Sequence, residues 1–185
     1  MTILFRMRDI LKRVDGVAAI ELALCLPLFV LFYLSSFTMV DYIRSIRQVT
    51  NSMNTIAELS SRRIDLDDTE RDALFATAEA LLDTSADSVQ LEISITSVVN
   101  DADEADEKDY QVRWSEGTSS SVTVSTAELS GFVLPDLGRN EAVILVVAEA
   151  QITPSIVAAD LPSTIEINRY AVRKPRFASE VQYLD

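Results

Sequence analysis

Glu21 is the residue whose chemistry most needs explaining. It is the only ionisable side chain in the 24 residues from Val17 to Val40. An isolated carboxylate in hydrocarbon costs on the order of 3 kcal/mol, and such a residue is by default a functional-site hypothesis with a partner to be named. One partner can be made by cutting the chain. Cleavage after Gly16 would place a new α-amino group on Val17, four residues or one helical turn (about 6 Å) from Glu21. Amine and carboxylate would then share a face within one chain, or pair directly between two staggered chains, and each would offset the other's desolvation. A shallower reading needs no cut: close to a membrane boundary, Glu21 sits at the interface and snorkels or protonates.

A second cluster of carboxylates runs from Asp101 to Asp109 as Asp-Ala-Asp-Glu-Ala-Asp-Glu-Lys-Asp. Asp101, Asp103, Asp106 and Asp109 are oxygen donors of the type calcium takes, six to eight at a time. The run lacks the glycine and terminal glutamate of a helix–loop–helix calcium site. A solvated acidic hairpin loop is the reading the pattern favours, with calcium the weaker alternative.

Other chemistry is poorly provided for. The chain has no histidine, one cysteine (Cys25, inside the apolar run) and four glycines. The usual general base, a zinc-type cluster, an intrachain disulfide and a glycine-rich phosphate loop are therefore excluded. Nothing singles out a catalytic pair among the carboxylates, so no enzyme activity, cofactor or resident metal is expected. With 29 acidic against 16 basic residues and a net charge of -13, nucleic acid is not an expected partner.

The elements that must carry Glu21 begin with the apolar run. Its length suffices for one membrane span and exceeds the apolar core of a cleaved secretory signal. A buried core helix of a soluble protein is the competing reading. Arg6, Arg8, Lys12 and Arg13 precede the run, which places residues 1–16 in the cytoplasm and the remainder outside. Pro27 removes one amide and should kink the spanning helix.

A short basic leader, Gly16-Val17-Ala18-Ala19-Ile20-Glu21, and a long apolar helix containing Pro27 together resemble the N-terminal pattern of type IV pilins and pseudopilins. The likeness is greatest to the TadE-like (TadE/TadF/TadG) pseudopilins of the tight-adherence (Flp, type IVc) pilus system. Leu22 stands where many members carry Phe or Tyr. The resemblance implies a minor pseudopilin-like subunit, not an enzyme, anchored in a bacterial inner membrane with its outer domain in the periplasm. It implies processing between Gly16 and Val17 by a prepilin peptidase, and a role for Glu21 in aligning subunits. Its partners would be inner-membrane lipid, other pilins or pseudopilins, and the Tad inner-membrane platform. Some TadG-like proteins keep the helix as a permanent anchor. An unprocessed single-pass scaffold or binding module of the cell envelope is the alternative.

Beyond the span, Tyr42, Ile46, Val49, Met53 and Ile56 recur at spacings of four and three, continuing the helix to about Arg63. That stripe packs either on the chain's own domain or on a neighbour's helix. A second helix is expected from Thr69 to Asp83, N-capped at Asp67 or Asp68 in a capping box with Glu70. Alternation then marks strands at Val89–Ile95, at Tyr110–Trp114, and a short one at Val122–Val124. Ala142–Ala148 reads as a central strand covered on both faces. A last strand, Ile165–Val172, breaks its alternation at Arg169, where a bulge is expected. Residues 153–163 read as a loop, and Arg173, Lys174 and Arg176 form a basic cluster facing either acidic surface or solvent.

The expected organisation is a leader (1–16), a transmembrane helix (17–40), its extension (41–63) and an α+β domain (64–185) with an antiparallel sheet of four to five strands. Removing the leader would take the net charge from -13 to -15, since residues 1–16 hold four basic and two acidic side chains.

Overall fold

A computed structural model describes residues 14–82, 89–102, 108–153 and 164–184. The first element, α1 (Val14–Ser61), runs as one helix through Pro27. The described residues fall into two compact units, one ending at Tyr42 and one beginning at Ile43.

In the first unit every residue from Val17 to Tyr33 is exposed. The helix is long and apolar enough to cross a membrane. Two of its hydroxyl side chains donate back into the helix: Ser35 to Leu31 O at 2.8 Å and Thr38 to Leu34 O at 3.3 Å. That is the form in which serine and threonine enter an apolar helix without an orphaned polar atom.

The second unit is α+β. After α1 come β1 (Asp65–Asp67), α2 (Asp68–Leu81), β2 (Val89–Asn100), β3 (Tyr110–Gly117), a 3₁₀ turn (Thr126–Gly131), β4 (Ala142–Ile152), β5 (Ile165–Arg173) and β6 (Gln182–Leu184). Strands β2 to β5 form an antiparallel sheet in the order β3-β2-β4-β5. The short β1 and β6 pair in parallel, a contact between distant segments that no local pattern announces.

Two apolar layers sandwich the sheet. On one face, Val49, Met53 and Ile56 of α1 and Leu74, Phe75 and Ala78 of α2 meet Ile93, Ile95, Ile144 and Val146. The α1 stripe therefore packs on the chain's own domain, with Val49 and Ile56 fully buried. On the other face, Val122, Val124, Leu129 and Leu137 cover Val98, Val143, Leu145 and Val147. Strand β4 sends 144 and 146 to one layer and 143, 145 and 147 to the other. Its unbroken apolar run follows from that double coverage.

Several sequence expectations need correction. Helix α2 spans Asp68–Leu81 with Asp67 as its N-cap, accepting from Glu70 N at 2.7 Å. The Glu70 carboxylate, however, pairs with Arg63 instead of closing a capping box. Val122–Val124 is not a strand. It lies across the second face, and Val124 N donates to Ser115 Oγ at 2.9 Å rather than to a ladder carbonyl. Gly117 allows this return, because a Cβ there would meet Ser119 O at 2.9 Å.

The bulge is also elsewhere. The β4–β5 register is continuous through Ala148↔Arg169. In the β2–β3 pair, Ser97 opposes Trp114 while Val98 opposes Val112, so Arg113 is the extra residue. One inserted residue reverses the face of everything after it. Tyr110 and Val112 accordingly pack on the second face, while Trp114 reaches the helix-covered face.

Candidate functional site

Glu21 lies on the exposed apolar part of α1, four residues from Val17, which is itself half exposed. Among the described residues no cation lies within ion-pair distance of it. Gly16 belongs to the helical backbone, so the Gly16–Val17 bond lies inside α1. Pro27 follows Glu21 by six residues. Its missing amide leaves the Ala23 carbonyl without the usual partner four residues on. The helix thus presents one acid and one weakened turn on a surface that is otherwise apolar. A carboxylate so placed can bind a cation or take up a proton.

Of the four candidate loop carboxylates, Asp103 and Asp106 lie outside the described residues. Asp101 Oδ1 accepts from Arg113 Nη2 at 3.3 Å, and Asp109 Oδ2 accepts from Gln111 Nε2 at 2.8 Å. The two ends are tied together by Asp101 N donating to Asp109 O at 2.9 Å. Buried Asn100 adds a brace by accepting from Asp109 N at 2.9 Å and donating to Leu137 O at 2.9 Å. Main-chain and Asn100 bonds close the base of the hairpin, and no metal-binding cluster forms among the described residues.

The basic cluster after β5 meets acidic and polar side chains of its own chain. Lys174 Nζ reaches Glu141 Oε2 at 2.8 Å, and Arg176 Nη2 reaches Glu58 Oε1 at 2.7 Å. Arg62 holds the same Glu58 oxygen at 2.7 Å. The Arg62 hydrogen bond, reinforced by the charge of Arg176, holds the Glu58 carboxyl below its ordinary range.

One polar centre was not visible in the sequence. Arg71 of α2 donates to Asp68 at 2.8 Å, Glu116 at 3.1 Å, Tyr183 OH at 2.8 Å and Asp72 at 2.9 Å. Tyr183 also donates to Asp68. Burial first, and the bond to Asp68 second, push the Tyr183 phenol up to about 12. Trp114 Nε1 donates to Val181 O at 2.8 Å, and its ring lies 5.4 Å from that of Tyr183. Helix α2, β3 and the C-terminal β6 are thereby fastened at one point. The participants come from residues 68–72, 114–116 and 181–183. No local spacing links them, and this is a structural clasp with no reacting group.

Comparison with family models, with curated proteins and with solved structures finds no match.

Proposed function

We propose that the chain is a membrane-anchored, pilin-like assembly subunit, a minor pseudopilin of the TadE-like kind acting in tight-adherence pilus biogenesis. Residues 1–16 would lie in the cytoplasm and the α+β domain in the periplasm of an envelope with an inner membrane. The observation that carries this reading is Glu21: an acid on an exposed apolar helix, without an ion-pair partner among the described residues, one turn after Gly16-Val17. Its partner must then come from outside the described residues. The amine released by a prepilin peptidase is the one the motif provides. Lipid, neighbouring pilins and the Tad platform are the partners that follow.

Mass spectrometry of the protein in native membranes tests this directly. A mature N-terminus at Val17 is expected, and Gly16→Leu should preserve the leader. An intact leader in the wild type rejects processing. Glu21→Gln should leave cleavage and membrane insertion intact while abolishing pilus assembly.

A second reading, an unprocessed single-pass scaffold of the cell envelope, is favoured by one feature. The Gly16–Val17 bond lies within helix α1, and a helical bond is poorly presented to a peptidase. Normal piliation after deletion of the protein, with the leader retained, would decide for this second reading.

A further inference from the structure

The two edges of the four-stranded sheet are finished differently. Along β3, Val112 N donates to Thr126 Oγ1 at 3.1 Å, and the polypeptide following β3 folds back along that strand. Along β5, among the described residues, the edge carbonyls are met by the strand's own side chains. Arg169 Nη1 donates to Asn168 O at 3.1 Å and Arg173 Nη1 to Val172 O at 2.9 Å. Main-chain direction repeats every two residues in a strand. The outward amides and carbonyls of β5 are therefore those of Glu166, Asn168, Tyr170 and Val172. An edge of this length is a template for another strand.

Beside Arg173 runs a groove of about 490 Å³, lined by Asn51, Asn54, Thr55 and Leu59 of α1. Arg173 Nη2 donates across it to Asn54 Oδ1 at 3.0 Å. The one carboxylate in its lining, Glu58, is already shared by Arg62 and Arg176. The chain has 29 acidic residues to 16 basic ones, and Arg62, Arg63, Arg71, Arg113, Lys174 and Arg176 all have carboxylate partners. Arg169 and Arg173, like Arg44, Arg47 and Arg139 elsewhere, have none among the described residues, and they are the two that lie on the β5 edge. Both sit on the helix-covered side of β5, four residues apart, holding main-chain oxygens that a pairing strand would take over.

We propose that the β5 edge receives an extended segment of another protein, added as a fifth strand and carrying two carboxylates four residues apart. Its main chain pairs with Glu166, Asn168, Tyr170 and Val172. Its carboxylates draw Arg169 and Arg173 off their own carbonyls, replacing neutral acceptors with charged ones. This holds whether or not the chain belongs to a pilus.

The test uses the full chain in detergent micelles and end-blocked nine-residue Val/Thr peptides carrying either two Glu or two Lys four residues apart, read by fluorescence anisotropy. The Glu peptide should bind saturably and the Lys peptide about tenfold or more weakly. R169E/R173E should reverse that preference. Asn168→Pro, which removes an outward amide without breaking a β4–β5 ladder bond, should abolish binding while circular dichroism and the thermal midpoint stay unchanged. Equal binding of both peptides, or a Glu preference that survives R169E/R173E, overturns the proposal. So does a wild-type dimer that Asn168→Pro dissolves, since the edge would then belong to a second copy of this chain. Should Asn168→Pro unfold the domain, R169E/R173E decides alone.

Discussion

Residues 17–33 and residues 46–61 belong to one helix, yet they are apolar for different reasons. In the first stretch every side chain is exposed and the apolar character goes all round. In the second, Val49, Met53, Ile56 and Ala57 are buried while Asn51 and Thr55 face solvent. A helix apolar on all sides needs a medium that is apolar on all sides, whereas a striped helix needs one packed neighbour. Helix formation is common to both, so secondary structure alone does not separate them. What separates them is the angular distribution of apolar side chains, and behind it the solvent each stretch was built for.

The contrast breaks most visibly if charges are placed in the first stretch. Replacing Leu24, Leu28 and Leu31 by Arg should move the full chain from the membrane pellet to the supernatant, because each arginine costs about 3 kcal/mol at the centre of a bilayer. The folded domain should keep its thermal midpoint. A wild-type chain that stays soluble without detergent would remove the membrane reading altogether.

Packing substitutions sharpen the same contrast. Met53→Ala should cost about 2–5 kcal/mol in a denaturant titration of the domain, the range for emptying a closed core. Leu24→Ala, exposed on the same helix, should change that titration by less than about 0.5 kcal/mol. Equal effects at the two sites would mean that the first stretch is packed against protein after all.

Polar contacts divide along similar lines. Arg71 is partly buried and bonds four side chains. Arg71→Met should cost about 2 kcal/mol, since it leaves Asp68, Asp72 and Glu116 without their shared cation. Arg62→Met, at an exposed pair, should cost under about 1 kcal/mol and less in high salt. Comparable losses would show that the clasp at β6 contributes no more than a surface pair.

The smallest effects are expected in the pH dependence. Glu58, Glu128 and Glu141 are held below the carboxylate's ordinary 4.5, chiefly by hydrogen bonds from Arg62, the Ser125 amide and Lys174 respectively. A lowered carboxyl contributes stability above its unfolded value and loses it as pH falls through the folded value. The thermal midpoint should therefore decline modestly below pH 4.5. Tyr183 behaves oppositely. Raised from 10.0 to about 12, it contributes fully below pH 10 and loses that contribution as pH rises toward 12. Tyr183→Phe should flatten the alkaline limb, and a limb left unchanged would place its origin elsewhere.

The properties that were legible in the residues are those decided within one or two turns or along a single strand. The uniform apolar run, the stripe from Ile46 to Ile56, the N-cap at Asp67 and the doubly covered β4 all follow from periodicity. So does the placing of Glu21, because spacing along a helix survives folding unchanged. Tertiary structure alone decided the rest. The bulge at Arg113 depends on how two strands 12 and 8 residues long settle their register, and it sends Trp114 to the face opposite Val112. The segment at Val122–Val124 had the alternation of a strand, but it meets β3 through the Ser115 hydroxyl and not through a main-chain ladder. The Arg71 clasp, the β1–β6 pair and the docking of Lys174 and Arg176 join positions 33 to 118 residues apart in sequence. Nothing local marks them, because their free energy exists only once the chain has closed the loops between them.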